Sequence, residues 1–575
     1  MTVTPVSLEL FKHAMATITD EMAITVVRTA HSNAVREMMD FSCALCDPQA
    51  QVVAQGLGLA LHLGTMPDVV RGVHERGPYE PGDVMAVNDP YRGGTHLPDI
   101  YLVRPVFLDT TLLGYSAVNM HHVDVGGRTP GSVAPDNTEI FQEGLRIAPV
   151  HLYRRGEPNE TLLSLIETNS RLPEQVLGDL RAQASACLIG QRGLIKLVDD
   201  WGLDSMREHM KALLDYTEKM ARAEIARLPD GVYEFADYMD DDGVEGPEVK
   251  IAVTLTKHDD EIGVDFSGSS PQVRGALNCV LTMTKSAVYC TVRSVMRSEM
   301  PDNEGFCHPI KVTAPLGSVV NPVFPAAVAA RGVTAHRICD AMLGALAQLT
   351  PGRVMAADEG GSTNVSIGGT TRDGQQFVLV EFVYGAWGAR PDKDGIDGVA
   401  NVFANLSNNP IEVIETEAPV RIESYGFVPD TGGAGRFRGG LSVRREYRLL
   451  NPTASLAVRS DRRKFPPHGL SGGLHGSPSW NIVNPGPSQR VLPTKVSTRL
   501  AEGDLFQTTL AGGGGVGDPF GRDPRRVLED VIDGKVSVES ARETYGVMLD
   551  TAAMQIDQAG TEQLRRTPRT STAAD

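Results

Sequence analysis

The first strong pattern in the chain is an apolar residue at every third or fourth position between residues 7 and 29. It runs through Leu8, Phe11, Met15, Ile18, Met22 and Val26. Such spacing places these side chains on one stripe and predicts an amphipathic helix. Asp20 and Glu21 lie away from the centre of the stripe, so we expect their carboxylates on the exposed side.

Strand-like patterns follow this helix. The stretch "DFSCALCDPQAQVVAQG" predicts two strands joined by an Asp-Pro turn, and "PDIYLVRPVFLDTTLLGYSAVNMHHVDVGG" predicts a hairpin of two long strands. Residues 67–76 are predicted to be helical, and "PGDVMAVNDP" is predicted to be a strand that enters a loop. Because side chains alternate along a strand, His121 and His122 are expected on opposite faces of the second hairpin strand.

The rest of the chain changes character several times. Helices are predicted at about 159–171 and 173–228, then strands from 229, helices near 284–298 and 333–349, a Gly-, Pro- and Asn-rich stretch of short strands at 352–520, and two short helices in 524–550. The polar C-terminal residues are expected to be disordered. These patterns predict a mixed α+β fold of several units, with boundaries at 1–228, 229–350, 351–522 and 523–575.

Composition excludes some classes of protein. The 575 residues carry a formal net charge of −18, which argues against a general nucleic-acid binder because phosphate contacts need a basic surface. No signal peptide is visible, and no stretch approaches the ~18 apolar residues of a membrane helix. The seven cysteines are few and odd in number, as is typical of reduced thiols. We therefore expect a cytoplasmic protein without a membrane or nucleic-acid partner.

A candidate metal site combines residues from both ends of the hairpin. His96 and Asp99 precede its first strand in "GGTHLPDIYLV", and His121, His122 and Asp124 end its second strand in "NMHHVDVGG". The open ends of a hairpin meet, so one of the two adjacent histidines should lie near His96 and Asp99. Two imidazoles and a carboxylate suit a catalytic zinc, manganese or iron ion. A lone His-x-x-Asp is a weak signal that a turn also explains, and spacing does not decide between His121 and His122.

The Gly-rich stretch "AGGGGVGDP" at residues 511–519 invites a nucleotide-binding interpretation. It lacks the Gly-Lys-Ser/Thr ending of a P-loop, and it has no strand before it and helix after it. Tight backbone turns or an interface are the better interpretation. The chain thus has no evident ATP motif of its own.

Several of these blocks resemble the hydantoinase B / 5-oxoprolinase family. They are "DFSCALCD", "NDPYRGGTHLPD", "HHVDVGG", "TEIFQEGLRI", "LGDLRAQ" and "GGGGVGDP", in family order over about residues 4–545. The resemblance implies a hydantoinase B-like fold and a heteromeric complex with an A-type chain. That partner binds ATP and phosphorylates the carbonyl oxygen of a cyclic amide such as a hydantoin, an N-methylhydantoin, 5-oxoproline or a lactam. Related subunits belong to acetone and acetophenone carboxylases.

The resemblance also implies site residues. The family's His-x-x-Asp pair and the histidine 25 positions after its first histidine correspond here to His96, Asp99 and His121, with Asp40 as a further metal ligand. Asp20 resembles a family position proposed as a general base; an exposed helical carboxylate is the plainer explanation. From the residues themselves, Glu143 is a candidate substrate or acid/base residue, unless it anchors Arg146. His122 and Asp124 are expected to support the metal ligands, because a metal-bound imidazole needs an acceptor for its other nitrogen.

Three hypotheses for the function follow. The first is metal-assisted hydrolysis of a carbonyl-phosphorylated cyclic amide, with a metal-activated water and Asp20 or Glu143 as proton acceptor. The second is a subunit of an ATP-dependent ketone carboxylase, which the compact length slightly disfavours. The third is a non-catalytic scaffold, which the cysteine-free ligand set disfavours, since structural zinc sites usually close with four protein ligands.

Overall fold

The computed structural model describes residues 2–56, 58–244, 246–361, 363–401 and 403–566. Within them the chain has the predicted α+β fold, built from antiparallel and mixed sheets with helices packed on their faces. The predicted disorder of the C-terminal tail "RRTPRTSTAAD" is wrong for Arg565 and Arg566, which end the helix Gln558–Arg566, and its other residues lie outside the described part of the chain.

The helices are α1 (Pro5–Thr29), α2 (Asn33–Arg36), α3 (Thr65–His74), α4 (Glu160–Asn169), α5 (Pro173–Trp201), α6 (Leu203–Ile225), α7 (Leu281–Val295), α8 (Arg331–Leu349), α9 (Ile411–Glu417), α10 (Pro524–Ile532), α11 (Val538–Glu543) and α12 (Gln558–Arg566). Short 3₁₀ turns span Ala60–His62, Pro90–Arg92, Ile140–Gln142, Glu304–Cys307 and Pro519–Gly521.

The strands in the first half of the chain are β1 (Phe41–Cys46), β2 (Val52–Gln55), β3 (Val84–Val87), β4 (Asp99–Leu108), β5 (Thr111–His121), β6 (Val150–Arg154), β7 (Glu157–Pro158), β8 (Gly231–Met239), β9 (Val249–His258) and β10 (Glu261–Asp265). The second half adds β11 (Ile310–Thr313), β12 (Thr363–Thr370), β13 (Gln376–Val383), β14 (Val420–Val428), β15 (Ser442–Leu449), β16 (Thr453–Arg459), β17 (Trp480–Val483), β18 (Arg490–Leu492), β19 (Lys495–Ala501), β20 (Leu505–Thr509), β21 (Leu549–Asp550) and β22 (Gln555–Ile556).

The first sheet has seven strands in the order β2-β1-β5-β4-β3-β6-β7, with every neighbouring pair antiparallel. Helix α5 packs on one face of β4 and β5, and α1 packs against α5 and β1. Helix α3 covers the opposite face through an apolar cluster that includes Val69, Tyr101 and Tyr115. Because both faces are covered, the β4–β5 hairpin is buried along most of its length.

The predicted helix at 7–29, the Asp-Pro turn between β1 and β2, and the long hairpin are all present. The predicted helical stretch at about 173–228 consists of two helices, α5 and α6, that meet at Gly202. Gly202 has a φ of 80°, a conformation that glycine adopts without steric cost and that ends an α-helix. Helical periodicity continues on both sides of this residue, so the pattern alone concealed the break.

Helix α8 occupies the centre of the molecule. It packs against β8 and β9 of the second sheet, whose strand order is β11-β10-β9-β8, and against α7. Every residue from Arg331 to Leu346 is buried, including its charged residues. A helix buried on all sides must satisfy its polar side chains through partners, and this one places Arg331 and Arg337 against carboxylates.

Two further sheets form the C-terminal half. Their strand orders are β13-β12-β16-β19 and β14-β15-β20-β17-β18, and their apolar residues share one core cluster. This agrees with the predicted β-heavy character of residues 352–520. The boundaries between the four predicted units stay a prediction.

The Gly-rich stretch lies between β20 and α10, contrary to the expectation that no strand precedes it and no helix follows it. It is packed backbone against backbone, which supports the interpretation as tight turns. Gly513 donates its N–H to the Gly440 carbonyl, and Gly514 donates to that of Ala357. A Cβ atom on Gly513 would overlap the Trp387 carbonyl oxygen, so a side chain there would clash with backbone.

In the part of the chain that the structure describes, no helix is long and apolar enough to cross a membrane.

Candidate metal centre

The hairpin register brings the two halves of the predicted site together. Asp99, the first residue of β4, is paired with His121, the last residue of β5. His96 lies in the turn just before β4, where the His96 carbonyl accepts a hydrogen bond from the Asp99 N–H. Residues up to 25 positions apart in the chain thus meet at this end of the hairpin.

Three side-chain atoms converge at this point. His96 Nε2 lies 3.1 Å from Asp99 Oδ1 and 3.2 Å from His121 Nδ1, and His121 Nδ1 lies 3.1 Å from Asp99 Oδ1. All three side chains are buried. Among the described residues, they are the group whose ligand atoms could together hold a metal ion.

Hydrogen bonding alone does not explain this arrangement. His96 Nδ1 lies 3.2 Å from the Ala329 carbonyl oxygen, which can only accept, so Nδ1 carries the hydrogen and Nε2 keeps its lone pair. The three contacts among His96 Nε2, His121 Nδ1 and Asp99 Oδ1 then have at most one hydrogen to share, the one that His121 Nδ1 could carry. Separations of this size suit ligand atoms that each lie about 2.0–2.2 Å from one shared ion. The residues therefore fit a divalent metal.

The electrostatic surroundings favour the deprotonated ligand forms. Burial, assisted by the positive charge of Arg331, lowers the pKa of His96 well below its usual value. Burial alone would raise the pKa of the Asp99 carboxyl, but the neighbouring His96 and Arg331 hold it well below its usual range. Metals bind neutral imidazole and ionised carboxylate, so both directions prepare the site for an ion.

The second oxygen of Asp99 is held from the other side. Arg331 Nη2 donates to Asp99 Oδ2 over 2.7 Å, and the Thr95 hydroxyl donates to the same oxygen. His62 Nε2 lies 3.8 Å from it. These contacts leave Oδ1 directed at the two histidines and fix the carboxylate in that orientation.

Asp40, at the start of β1, lies at the edge of the cluster. Its Oδ2 is 4.0 Å from His121 Nδ1, and its Oδ1 is buried without a hydrogen-bond partner among the described residues. Burial raises the pKa of Asp40 to about 6, against the opposing effect of His121. The backbone positions Asp40, because its carbonyl accepts the His121 N–H.

His122 and Asp124 contact other parts of the chain. His122 Nε2 lies 3.0 Å from Gln183 Oε1 on α5, on the face of β5 opposite to His121. Asp124 accepts hydrogen bonds from the Gly126, Gly131 and Arg171 backbone N–H groups, which shapes the loop after β5. These contacts lead away from the three converging ligand atoms, so the expected support of the metal by His122 and Asp124 remains a prediction.

The two predicted acid/base residues lie in different places. Glu143 is buried, and its Oε1 accepts the N–H groups of Val328 and Ala329. Burial raises the pKa of the Glu143 carboxyl to about 8, although these donors oppose it. The alternative was that Glu143 anchors Arg146, but the Arg146 guanidinium lies over the Phe324 ring.

Asp20 is exposed on α1 and lines a pocket of about 410 Å³ with Gln55, Gly58 and Leu59. Two polar side chains, Ser42 and His62, lie behind this pocket. Gly58 lies against the Ser42 hydroxyl, which is 2.9 Å from His62 Nδ1.

Several residues of the site carried no usable signal in the sequence. Arg331 and Arg459 reach it from 232 and more positions away, and Phe382 packs its ring edge-on against His121 at 5.5 Å. His62 stands in an apolar stretch, where a lone histidine is unremarkable. Burial lowers the pKa of His62 to about 4.

These features define a class: an α+β protein with a buried His-Asp-His centre suited to a divalent metal. The Hydantoinase B/oxoprolinase family matches residues 4–519, so the chain belongs to that family. The B-type subunit of a putative D-/L-hydantoinase from Pseudomonas sp. (strain NS671) is 33% identical over 583 residues, covering 98% of each chain.

Two solved structures share the fold. The crystal structure of an ATP-dependent caprolactamase from Pseudomonas jessenii has a TM-score of 0.92 at 30% identity and covers 99% of this chain and 100% of that one. The nucleotide-free structure of an acetone carboxylase has a TM-score of 0.91 at 18% identity, covering 98% of this chain and 82% of that one. At that identity the second likeness shows the fold alone.

Proposed function

We propose that this chain is the B-type subunit of an ATP-dependent cyclic-amide hydrolase. It would hydrolyse a carbonyl-phosphorylated intermediate that an A-type partner makes from a hydantoin, an N-methylhydantoin, 5-oxoproline or a lactam. The observation that carries the proposal is the buried convergence of His96, Asp99 and His121 in a chain of the Hydantoinase B/oxoprolinase family.

His96 Nε2, His121 Nδ1 and Asp99 Oδ1 would hold the metal, with Asp40 as a further ligand from the edge. A divalent zinc, manganese or iron ion would lower the pKa of a water molecule towards about 7. The protein's part is orientation: the Ala329 carbonyl fixes the tautomer of His96, and Arg331 with Thr95 fixes the rotamer of Asp99.

The chemistry explains why phosphorylation comes first. A cyclic amide resists water because its nitrogen donates electrons to the carbonyl and leaves poorly. With the carbonyl oxygen phosphorylated, one water adds to the carbon, the C–N bond breaks and the nitrogen takes a proton, which leaves an acyl phosphate. A second water then releases phosphate and the open-chain acid. Asp20, or Glu143 in the fraction of molecules in which its carboxyl of raised pKa is ionised, would accept a proton from the attacking water.

The proposal assigns ATP to the partner subunit. The Gly-rich stretch of this chain packs against backbone and lacks the Gly-Lys-Ser/Thr ending of a P-loop. The hydantoinase relative is itself named as one subunit of an enzyme, and the caprolactamase that shares the fold is ATP-dependent. Dependence on ATP agrees with the predicted cytoplasmic location.

The test is reconstitution. The chain would be co-expressed with its A-type partner, supplied with ATP, and offered hydantoin, N-methylhydantoin, 5-oxoproline and caprolactam, then acetone and acetophenone with bicarbonate. ADP formed together with ring-opened acid supports the hydrolase. A product that depends on bicarbonate supports the ketone-carboxylase alternative, and metal binding without turnover of any substrate supports a scaffold.

A further inference from the structure

Two buried arginines stand beside the metal centre and belong to neither the predicted nor the family-derived ligand set. Arg331 is the first residue of α8, and Arg459 is the last residue of β16. They are 6% and 1% exposed, respectively. Arginine is rarely buried unless its charge has a function or a partner.

Both guanidinium groups are tied to the metal ligands. Arg331 donates to Asp99 Oδ2 over 2.7 Å. Arg459 Nη1 donates over 2.8 Å to the Ala329 carbonyl, the same oxygen that contacts the His96 ring. The Phe382 ring packs against Arg459 at 5.2 Å and against His121 at 5.5 Å, which places Arg459 at the same wall of the centre.

The formal charges of the side chains around the three converging ligand atoms balance one another. The two guanidiniums offset the carboxylates of Asp40 and Asp99, and histidines bind metals as neutral imidazoles. A divalent ion would therefore leave about two uncompensated positive charges in a buried site. Arg331 also has a buried Nε with no hydrogen-bond partner among the described residues. An anion that carries about two negative charges would restore neutrality and supply that acceptor.

We propose that Arg331 and Arg459 form, with the bound metal, a binding site for a phosphoryl dianion, which is the phosphoryl group of the activated intermediate. The inference rests on the proposed function and adds the residues that recognise its substrate. Guanidinium groups match phosphate oxygens with paired N–H donors, and a phosphoryl group is dianionic near neutral pH. The phosphoryl group stays bonded to the former carbonyl oxygen of the substrate until the last hydrolytic step, so holding this group retains every intermediate.

The first experiment measures binding of inorganic phosphate by titration calorimetry to the metal-loaded complex. The variants are Arg459→Gln, Arg459→Lys and, as a matched control, Arg463→Gln, an arginine whose guanidinium instead contacts the Leu492 carbonyl and the Trp480 ring. We expect Arg459→Gln to weaken phosphate binding at least tenfold, Arg459→Lys to restore part of it, and Arg463→Gln to match the wild type. Metal content should be unchanged throughout, and circular dichroism verifies folding.

The second experiment separates the intermediate from free phosphate. In the working complex, Arg459→Gln should release the activated intermediate early, so the ADP formed per molecule of ring-opened acid should rise severalfold above the wild-type ratio. The inference is overturned if Arg459→Gln binds phosphate as tightly as the wild type. It is also overturned if the ratio of ADP to ring-opened acid does not change. If the complex opens no cyclic amide, the proposed function fails, whereas phosphate binding that depends on both the metal and Arg459 still establishes the anion site.

Discussion

His121 and His122 are neighbours in the chain, yet their imidazoles lie on opposite faces of β5. His121 Nδ1 is 3.1 Å from Asp99 Oδ1, whereas His122 Nε2 is 3.0 Å from Gln183 Oε1 on α5. The alternation of a strand separates the two rings, so one histidine can ligate a metal and the other ties the sheet to a helix.

This pair gives a matched test of the metal centre. We expect His121→Ala to lower the metal content from about one ion per chain to well below half, because a catalytic site has few ligands to lose. His122→Ala should keep its metal, since it removes only the contact to Gln183. Elemental analysis of both purified variants measures the difference, and equal metal content in the two would refute the assignment.

Glu143 has contacts that favour a positioning role over the alternative role of proton acceptor. Its Oε1 holds the N–H groups of Val328 and Ala329, and the Ala329 carbonyl contacts His96. Glu143→Gln keeps an acceptor, so turnover should fall only a few-fold, whereas Glu143→Ala should lower the free energy of unfolding by about 2–4 kcal/mol by leaving two buried donors unpaired. A fall in turnover of about 10²–10⁴-fold in Glu143→Gln would instead make it the acid/base residue.

The pH dependence of stability offers a second measurement on the same residue. Burial raises the pKa of the Glu143 carboxyl from 4.5 to about 8, so the folded chain binds its proton more tightly than the unfolded chain. The stabilisation is complete below pH 4.5 and is lost as the pH rises through 8. Urea unfolding at several pH values should show this decline for the wild type and a smaller one for Glu143→Gln; identical profiles would contradict it.

Asp20 can be tested independently of the metal. If Asp20 accepts a proton in the pocket that it lines, Asp20→Asn should slow turnover by about 10²-fold or more with unchanged metal content. Glu21→Gln, next to it on α1, is the matched control and should behave like the wild type. Full activity of Asp20→Asn in the reconstituted complex would leave Asp20 as an ordinary exposed helical carboxylate.

A buried ion-pair network joins the central helix to the C-terminal half. Arg462 pairs with Asp340 on α8 and, over 3.1 Å, with Asp237 on β8. Removing one partner leaves buried charges unpaired, so Arg462→Ala should lower the free energy of unfolding by about 3–5 kcal/mol. The exposed Arg372–Glu502 pair should contribute below about 1 kcal/mol, which Arg372→Ala checks. If Arg462→Ala and Arg372→Ala unfold at the same urea concentration, the buried network does not stabilise the fold more than the exposed pair does.

Local patterns predicted those parts of the site that lie close in the chain. The apolar stripe of α1, the Asp-Pro turn after β1 and the long β4–β5 hairpin were all predicted, because each depends on periodicity within about 30 residues. The hairpin alone brings Asp99 opposite His121. The break at Gly202 escaped prediction, because periodicity continues through it and only the backbone conformation reveals it.

The sequence by itself determined the α+β character, the hairpin and the meeting of His96 and Asp99 with one of two adjacent histidines. Spacing left the choice between His121 and His122 open, the family resemblance implied His121, and the structure places His121 beside Asp99. Only the tertiary structure showed that Glu143 accepts the Ala329 N–H, that Arg331 contacts Asp99, and that Arg459 contacts the Ala329 carbonyl. The physical reason is distance along the chain. Strand alternation and turn chemistry are local, whereas a helix that begins at residue 331 and a strand that ends at residue 459 reach the metal centre only through the packing of separate sheets.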